Sequence, residues 1–295
     1  MDLLTFDFGG TSIKYSVWSG NRLAEGVSSF PTPKTWEDAK TELLIIKRKF
    51  EQKYQLAGAA FSFPGCVEQA SGQIVGYSAI PYIHNFLIIK DIEDLLGLPA
   101  AMENDANCAA LAEVWAGAAK DLKDILFVVV GTGVGGSVVV GGKIRYGAHL
   151  YGGEWGFMIL NPDGKEGKTL SDLGSAVNMA NRYCKKIGVS AGTYSGTDII
   201  NLMKQGDKTA KEEAETFYKY LSIGLFNLQI GYDPEAIIIG GGIAANKEII
   251  QELENRVNNL LIDSHVKDFT INLKPCKYGN DANLIGAVKN FIDNC

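Results

Sequence analysis

Residues 2–18 read DLLTFDFGGTSIKYSVW, and this stretch indicates how the fold begins. A short apolar run leads to Asp7, and a Gly-Gly-Thr turn separates it from a second β-rich run that carries Lys14. Two apolar runs joined by a Gly-Gly turn are typical of a β-hairpin. Glycines allow a ligand to approach the backbone, whose N–H groups can hold phosphate oxygens, and a carboxylate at Asp7 suits Mg²⁺, directly or through water. An ordinary hairpin with a polar turn is the alternative.

Residues 125–140, ILFVVVGTGVGGSVVV, repeat this arrangement of strand, Gly-rich turn and strand. Two similar hairpins, one in each half of the chain, predict a duplicated architecture with one phosphate loop in each lobe. The second turn also fits the dinucleotide pattern G-x-G-x-x-G, which must open a helix after its strand. A β-branched run at 137–140 follows instead, so we exclude a Rossmann site. The sequence also contains no G-x-x-x-x-G-K-[ST] motif.

The composition is that of an ordinary globular protein. A chain of 295 residues, 46% hydrophobic and 21% charged, is long enough for two lobes with sizeable cores. A net charge of −6 without a Lys/Arg cluster argues against nucleic acid as a partner, and no apolar run is long enough to span a bilayer. Five scattered cysteines without a C-x-x-C pair predict reduced thiols, no structural zinc and a cytoplasmic protein; the N-terminus has no basic region of a secretory signal.

Hydrophobic periodicity predicts that strands and helices alternate, which indicates an α/β protein. The expected helices cover residues 35–54, 88–96, 106–119, 171–187, 196–205, 208–231, 246–262 and 282–292. Besides the two hairpins, the expected strands cover residues 57–63, 100–102, 236–239 and 269–273. We expect an N-terminal α/β lobe of residues 1–118 and a C-terminal α/β lobe of residues 119–282. The last segment, 283–295, is expected to pack back on the N-terminal lobe.

Six motifs follow one another in a recognisable order. They are Asp7-Phe8-Gly9-Gly10-Thr11 with Lys14, Pro64-Gly65, Glu103-Asn104-Asp105-Ala106-Asn107, Gly131-Thr132-Gly133-Val134-Gly135-Gly136, Gly152-Gly153-Glu154-Trp155-Gly156 and Ile239-Gly240-Gly241-Gly242. In this order and spacing they resemble the ROK family of sugar kinases and related repressors, within the actin-like ATPase superfamily. The resemblance covers essentially the whole chain, and it implies two lobes of the ribonuclease-H type with a cleft that closes over ATP and a sugar.

The resemblance assigns a role to each motif, and Asp105 is the implied catalytic base. The residues it assigns to the sugar are Gly65, Asn104, Asp105, Glu154 and, in the place of a family His, Phe157. The residues it assigns to ATP are Asp7, which also serves Mg²⁺, Gly9, Gly10, Thr11, Lys14, Gly131, Thr132, Gly133, Gly240, Gly241 and Gly242. A carboxylate at a helix N-terminus is favoured by the helix dipole and can accept the proton of an attacking hydroxyl. Taken singly, Asp105 or Asn104 could be a helix cap, and each glycine motif a plain turn.

One segment departs from the family pattern. Many members carry a His directly after Glu-x-Gly, and then a Cys-rich zinc loop that ends in a sugar-binding Glu. Here Phe157 replaces the His, residues 158–175 contain no cysteine, and Ser171 takes the place of the Glu, with Asp172 beside it. We therefore expect no zinc. An aromatic face suits a sugar ring or an aglycone, which resembles the zinc-lacking β-glucoside kinases of the family; packing into the loop core is the alternative for Phe157.

The sequence thus predicts an ATP- and Mg²⁺-dependent kinase for the 6-hydroxyl of a glucose-type sugar, either a β-glucoside or glucose. An N-acylhexosamine kinase is the alternative among enzymes. A sugar-responsive ROK regulator is the alternative from another class, and we expect no DNA-binding domain because the first strand begins at Leu3. The resemblance also implies a homodimer that binds a small sugar, with no nucleic acid or membrane partner.

Overall fold

A computed structural model of the chain describes residues 1–165 and 167–295. Its strands are β1 (Asp2–Phe8), β2 (Ser12–Ser19), β3 (Arg22–Leu23), β4 (Ser28–Pro31), β5 (Leu56–Phe63), β6 (Cys66–Glu68), β7 (Gln73–Val75), β8 (Ala100–Asn104), β9 (Ile125–Val130), β10 (Val134–Val140), β11 (Lys143–Ile144), β12 (Ala236–Gly240) and β13 (Leu273–Pro275). Its α-helices are α1 (Trp36–Glu51), α2 (Ile88–Leu96), α3 (Asp105–Ala116), α4 (Leu170–Gly174), α5 (Ala176–Ile187), α6 (Gly196–Lys204), α7 (Lys208–Tyr232), α8 (Lys247–Asp263) and α9 (Ala282–Asn294).

The chain divides into two compact units. The first unit comprises Met1–Gly117, Gly147–Tyr151 and Asn280–Cys295, and therefore includes α9. The second unit comprises Ala118–Tyr146 and Gly152–Gly279. Throughout residues 1–165 and 167–295, no helix combines the length and the apolar composition needed to cross a bilayer.

The main sheets of the two units share one design. The first sheet has the order β3-β2-β1-β5-β8, with β4 also paired to β2, and the second has the order β11-β10-β9-β12-β13. In each sheet the hairpin strands, β1 with β2 and β9 with β10, are antiparallel. On the other side of the first hairpin strand, β5 and β8 add in parallel in the first sheet, and β12 and β13 do so in the second. The two predicted hairpins are confirmed, and their Gly-rich turns occupy equivalent places. The α/β class is also confirmed.

The core of the first unit forms where β1 and α1 present apolar side chains to each other. Phe6, Phe8, Phe61 and Phe63 are at most 1% exposed, and they pack as an aromatic cluster across β1 and β5. The buried residues of α1 recur at helical spacing and are Ala39, Leu43, Ile46 and Phe50. The N-terminus of α1 is capped by Thr35, whose side chain accepts from the N–H of Asp38. This core supports the end of β1 from which the first Gly-rich turn departs.

The core of the second unit lies between its sheet and α5, α7 and α8. Alternate residues of β9, Leu126, Val128 and Val130, are at most 1% exposed and belong to this cluster. Phe217 and Leu221 of α7, which are four residues apart and therefore on one helix face, are fully buried in the same cluster. The second Gly-rich turn therefore also begins at the end of a strand that is fixed in a core.

Two sequence predictions about the second unit are wrong in detail. The helix expected over 171–187 is two helices, because Ser175 adopts an extended conformation and caps α5 through the N–H of Asn178. The strand expected over 269–273 instead covers Leu273–Pro275, where it pairs with Ile237–Ile239 of β12. Local periodicity predicts neither, since one depends on a capping hydrogen bond and the other on the register of a distant strand.

Candidate active site

Asp7 lies near the end of β1 and is only 6% exposed. Its Oδ1 accepts hydrogen bonds from Ser62 Oγ at 2.8 Å and from Asn283 Nδ2 at 3.0 Å. The Nζ atom of Lys14 lies 3.7 Å from Oδ2 and donates to the carbonyl of Asn280 at 3.3 Å. Two neutral hydrogen-bond donors thus fix Oδ1, while Oδ2 lies near the ammonium of Lys14. A carboxylate oxygen is the kind of ligand that a hard cation prefers, directly or through water.

The turn after β1 is tight and is closed by its own backbone. The N–H of Gly9 donates to the carbonyl of Ser12 at 3.1 Å, and a Cβ at Gly9 would lie 2.9 Å from that oxygen. Thr32 ties the turn to β4, since its N–H donates to Thr11 and its hydroxyl to the carbonyl of Gly9. Gly10 and Thr11 remain exposed at the tip. Exposed backbone on a fixed turn is what a phosphate loop requires.

Asp105 is the first residue of α3, and Asn104 caps that helix. The Oδ1 of Asn104 accepts from the N–H groups of Ala106 and Asn107, at 2.9 and 3.1 Å, and its Nδ2 donates to the carbonyl of Gly65 at 3.0 Å. The cap is therefore Asn104, which leaves at most one amide hydrogen for a sugar. Asp105 is partly exposed and accepts from the N–H of Ala106, so its carboxylate is held at the helix N-terminus.

The buried carboxylate of Glu103 supports the start of α3 through hydrogen bonds to Asn104 and Asn107. It is 0% exposed, and its Oε1 accepts from the N–H of Asn104 at 2.7 Å and from Asn107 Nδ2 at 3.0 Å. Its Oε2 accepts from Gln69 Nε2 at 2.6 Å. Burial, and then the charges of Glu103, Asp7 and Asp105, raise the pKa of the Cys108 thiol well above its usual range. The carboxylates assigned to Mg²⁺ and to the base thus lie in one region of the first unit.

Gly65 is required by its backbone conformation. Its φ of +99° lies in the region that favours glycine, and a Cβ there would lie 3.1 Å from Cε1 of His84 and 3.2 Å from Cγ2 of Ile74. Its carbonyl orients Asn104. Gly65 therefore fixes the helix cap beside Asp105, which the sequence pattern alone does not reveal.

The second Gly-rich turn is anchored to α4 and α5. The N–H of Gly131 donates to the carbonyl of Gly133 at 2.9 Å, and the carbonyl of Gly131 accepts from the N–H of Val177 at 3.2 Å. The Nδ2 of Asn178 donates to the carbonyl of Thr132 at 3.4 Å, while Thr132 itself is exposed. Like the first turn, this one is fixed by its surroundings and presents exposed backbone at its tip. Asn178 is a supporting residue that sequence analysis missed.

Ser171 and Asp172, at the place of the family's sugar-binding Glu, both hold backbone. The hydroxyl of Ser171 accepts from the N–H of Val134 at 2.9 Å and so clamps the end of the second Gly-rich turn. The carboxylate of Asp172 accepts from the N–H groups of Thr169 and Lys168, both at 3.0 Å. These backbone hydrogen bonds lower the pKa of Asp172. Both side chains therefore support backbone of their own unit.

The Gly-rich segment 152–156 packs directly on the hairpin of β9 and β10. Cβ atoms at Gly153 and Gly156 would collide with carbonyl groups of β10, and Trp155, 5% exposed, donates from Nε1 to the carbonyl of Phe127 at 2.9 Å. Glu154 projects from this packed segment as an exposed residue, although desolvation of its carboxylate raises its pKa. The anchored neighbours thus fix the backbone that carries Glu154.

Phe157 is 68% exposed, so the alternative that it packs into the loop core is wrong. It ends a short 3₁₀ turn, Trp155–Phe157, whose first residue is buried. Its ring therefore lies largely at the surface, next to an anchored segment.

The segment after β12 contains a 3₁₀ turn, Gly242–Ala245, that the sequence did not predict. The helix predicted over 246–262 follows it as α8, which begins at Lys247. A Cβ at Gly240 would lie 2.6 Å from the ring of Phe127. Gly241 has a φ of +83°, and a Cβ there would collide with the carbonyl of Val130. Packing therefore accounts for two of these glycines. Gly242 is exposed with open space around it, so it is the glycine of this motif with room for a ligand.

Two α/β units, each with a hairpin, a Gly-rich turn and two further parallel strands, define a protein of the actin-like ATPase fold. The chain also has a carboxylate, Asp105, at a helix start and Glu154 in an anchored Gly-rich segment. The chain belongs to the ROK family, whose model matches residues 3–293.

Relatives of known name or structure cover nearly the whole chain. A β-glucoside kinase of Listeria monocytogenes is 31% identical over 99% of this chain and 98% of its own length. An N-acetyl-D-glucosamine kinase of Mannheimia succiniciproducens is 28% identical over 98% of this chain and 99% of its own. The crystal structure of a ROK family protein from Streptococcus pneumoniae in complex with sucrose has a TM-score of 0.90 at 32% identity, over 99% and 98% of the two chains.

Proposed function

We propose that this protein is an ATP-dependent sugar kinase that phosphorylates the 6-hydroxyl of a β-glucoside or of glucose. The observation that carries the proposal is the capped start of α3, where Asn104 serves as the cap and leaves Asp105 as a partly exposed carboxylate. Similarity over the whole chain to a β-glucoside kinase supports the same reaction.

In this reaction Asp105 accepts the proton of the 6-hydroxyl as the oxygen attacks the γ-phosphorus. The new bond joins that oxygen to phosphorus, the bond from phosphorus to the leaving oxygen breaks, and ADP departs. Each Gly-rich turn, within its own unit, presents exposed backbone that is suited to phosphate oxygens, and Lys14 adds a positive charge beside the first turn. Asp7 would hold Mg²⁺, directly or through water, and the bound ion would neutralise charge on the phosphates. Gly242 is our assignment for contact with the nucleoside.

Two observations support a glycoside as substrate. The ROK protein from Streptococcus pneumoniae was crystallised with sucrose, a sugar whose glucosyl anomeric carbon is blocked by a second ring. In this chain Phe157 offers an exposed ring at the position where zinc-bearing relatives have a His. An apolar face loses little when an anomeric hydroxyl is replaced by an ether oxygen, and it can stack on an aglycone. We assign Glu154 to the sugar hydroxyls, as the family resemblance implies.

An N-acylhexosamine kinase is the second candidate. The similarity to an N-acetyl-D-glucosamine kinase over 98% of the chain favours it. For either substrate we infer a cytoplasmic protein without zinc, since the cysteines are few and scattered and residues 158–175 contain none. A homodimer is what the family resemblance implies.

A screen for ADP release tests the proposal. Purified protein with Mg-ATP is offered cellobiose, gentiobiose, glucose, N-acetylglucosamine, N-acetylmannosamine and fructose, with the Asp105→Asn variant as the blank. We expect sugar-dependent ADP release that is highest with a β-glucoside or glucose. A strong response to an N-acylhexosamine alone would establish the second candidate, and no response to any sugar would contradict a sugar kinase.

Replacing Phe157 by Ala should lower kcat/KM for a β-glucoside more than for glucose. Loss of a stacking contact costs about 0.5–1.5 kcal/mol, which corresponds to as much as a tenfold change. Ile159→Ala is the matched control, since Ile159 is 64% exposed in the same segment. Equal losses for both substrates, or a wild-type protein that ignores β-glucosides, would contradict the role of Phe157.

Replacing Glu154 by Gln should raise KM for the sugar about tenfold or more, because a hydrogen bond to a charged group is worth roughly 1.5–3 kcal/mol. The same change should not destabilise the fold at neutral pH. Desolvation raises the pKa of Glu154 above its ordinary 4.5, so folding disfavours the ionised form, and this cost is complete above the raised pKa. It disappears below the ordinary pKa.

Thermal unfolding between pH 4 and pH 8 measures this effect. The melting temperature of Glu154→Gln should equal or exceed that of the wild type at pH 8, and the difference should vanish towards pH 4. Glu254→Gln on α8 is the matched control for loss of a charge. A variant that is less stable at pH 8 but binds sugar normally would show that Glu154 is structural.

A further inference from the structure

The last helix carries two asparagines, Asn283 and Asn290, that are seven residues apart. At 3.6 residues per turn, this separation puts them two turns apart on one face of α9. The proposed function gives a role to the carboxylates of Asp7 and Asp105. Asn283 donates to Asp7 itself, whereas Asn290 donates to the backbone three residues before Asp105. The contacts of both residues lie within the first unit.

Asn283 acts at Asp7. Its Nδ2 donates to Asp7 Oδ1 at 3.0 Å, the same oxygen that accepts from Ser62. Two neutral donors on one oxygen fix the rotation of the carboxylate and determine where Oδ2 lies. A second partner of this kind orients a metal-binding carboxylate, and its loss typically costs about 10–100-fold in affinity or activity.

Asn290 acts on the segment before Asp105. It is 3% exposed, and its Nδ2 donates to the carbonyl of Met102 at 3.0 Å. Its Oδ1 accepts from Gln69 Nε2 at 3.1 Å, and the same nitrogen lies 2.6 Å from Glu103 Oε2. Glu103 in turn accepts from the N–H of Asn104, the residue that caps α3. Asn290 thereby holds both the end of β8 and the carboxylate that supports the helix start.

The helix between these two side chains is itself fixed. Gly286 packs on the carbonyl of Cys108 in α3, where no Cβ would fit, and the hydroxyl of Thr5 donates to the carbonyl of Leu284 at 2.9 Å. Thr5 is on β1, the strand that carries Asp7. A shift of α9 would therefore disturb α3 and β1 together.

We propose that Asn283 and Asn290 are positioning residues, and that α9 sets the separation between Asp7 and Asp105. This inference rests on the proposed function. It predicts that two similar substitutions on one helix have different kinetic consequences, because each asparagine supports a different carboxylate.

Kinetics of Asn283→Ala and Asn290→Ala test the inference. Asn283→Ala should raise KM for Mg-ATP and the Mg²⁺ concentration for half-maximal rate about tenfold or more, with a smaller change in kcat. Asn290→Ala should lower kcat about tenfold or more with little change in KM for Mg-ATP, because a small misplacement of the base slows the chemical step. The matched control is Asn258→Ala on α8, which removes a side-chain hydrogen bond to the N–H of Ile271.

The melting temperature of each variant separates a positioning role from a structural one. If Asn283 and Asn290 are only structural, their Ala variants should melt at lower temperature, as Asn258→Ala should. Their kcat and KM for Mg-ATP should then change no differently from those of Asn258→Ala. That result with an active wild type would overturn this inference alone. A wild type inactive on every sugar would remove the proposed function and this inference with it. Should an Ala variant fail to fold, Asn283→Ser or Asn290→Ser must show the same split in weaker form, and its absence would contradict the inference.

Discussion

Replacing Asp105 by Asn is expected to lower kcat about 10²–10⁴-fold, the usual contribution of a general base, with both KM values nearly unchanged. The substitution removes the carboxylate that is proposed to accept the proton. Asn104 supplies the cap of α3, and an Asn at 105 retains a side-chain oxygen for the N–H of Ala106. The helix start should therefore keep its geometry, so the loss should fall on the chemical step.

Steady-state kinetics together with binding of sugar and ATP to the variant measure this effect. Asp121→Asn, a change at an exposed residue of the second unit, controls for loss of a charge. Turnover of Asp105→Asn within a few-fold of the wild type would show that another group accepts the proton. Loss of sugar binding with normal turnover at saturation would instead make Asp105 a binding residue.

Replacing Asp7 by Asn is expected to lower kcat/KM for Mg-ATP about 100-fold and to raise the Mg²⁺ requirement. An Asn at 7 can still accept from Ser62 and Asn283 through Oδ1, so the hairpin should survive. The substitution removes the negatively charged Oδ2, which lies 3.7 Å from Lys14 Nζ. A charged carboxylate oxygen is the ligand that a hard cation prefers.

Initial rates against free Mg²⁺ at fixed ATP measure the change. Asp2→Asn at the opposite end of β1 is the matched control, because it removes the same charge from the same strand. An unchanged Mg²⁺ requirement would refute the assignment of Asp7 to the cation. A lower melting temperature, together with normal kinetics of the folded fraction, would show that Asp7 has only a structural role.

The sequence predicts those parts of the fold whose signal is local. Both hairpins are visible as apolar runs around Gly-rich turns, and the β-branched run after Gly136 correctly excludes a Rossmann helix. The buried face of α1 follows directly from its periodicity. The same kind of signal indicates that Asp105 opens a helix, because a polar Asn-Asp pair precedes an apolar run.

The supporting residues could not be predicted, because their partners are distant in the chain. Asp7 and Asn283 are 276 residues apart, and Asn290 reaches Met102 across 188 residues. An Asn in an amphipathic helix gives no local sign of which strand it will face. Likewise, nothing in the sequence near Ser171 shows that its hydroxyl accepts a hydrogen bond from the N–H of Val134.

The position of the new phosphate ester tests the central claim most directly. The product of Mg-ATP and the preferred sugar is examined by proton-coupled phosphorus NMR. An ester at the primary 6-hydroxyl couples to the two protons of one CH₂ group, whereas an ester at the anomeric or a secondary hydroxyl couples to one proton. We predict coupling to two protons, on the glucosyl unit when the substrate is a β-glucoside. A product whose phosphorus couples to a single proton, or the absence of any sugar phosphate, would contradict a sugar 6-kinase.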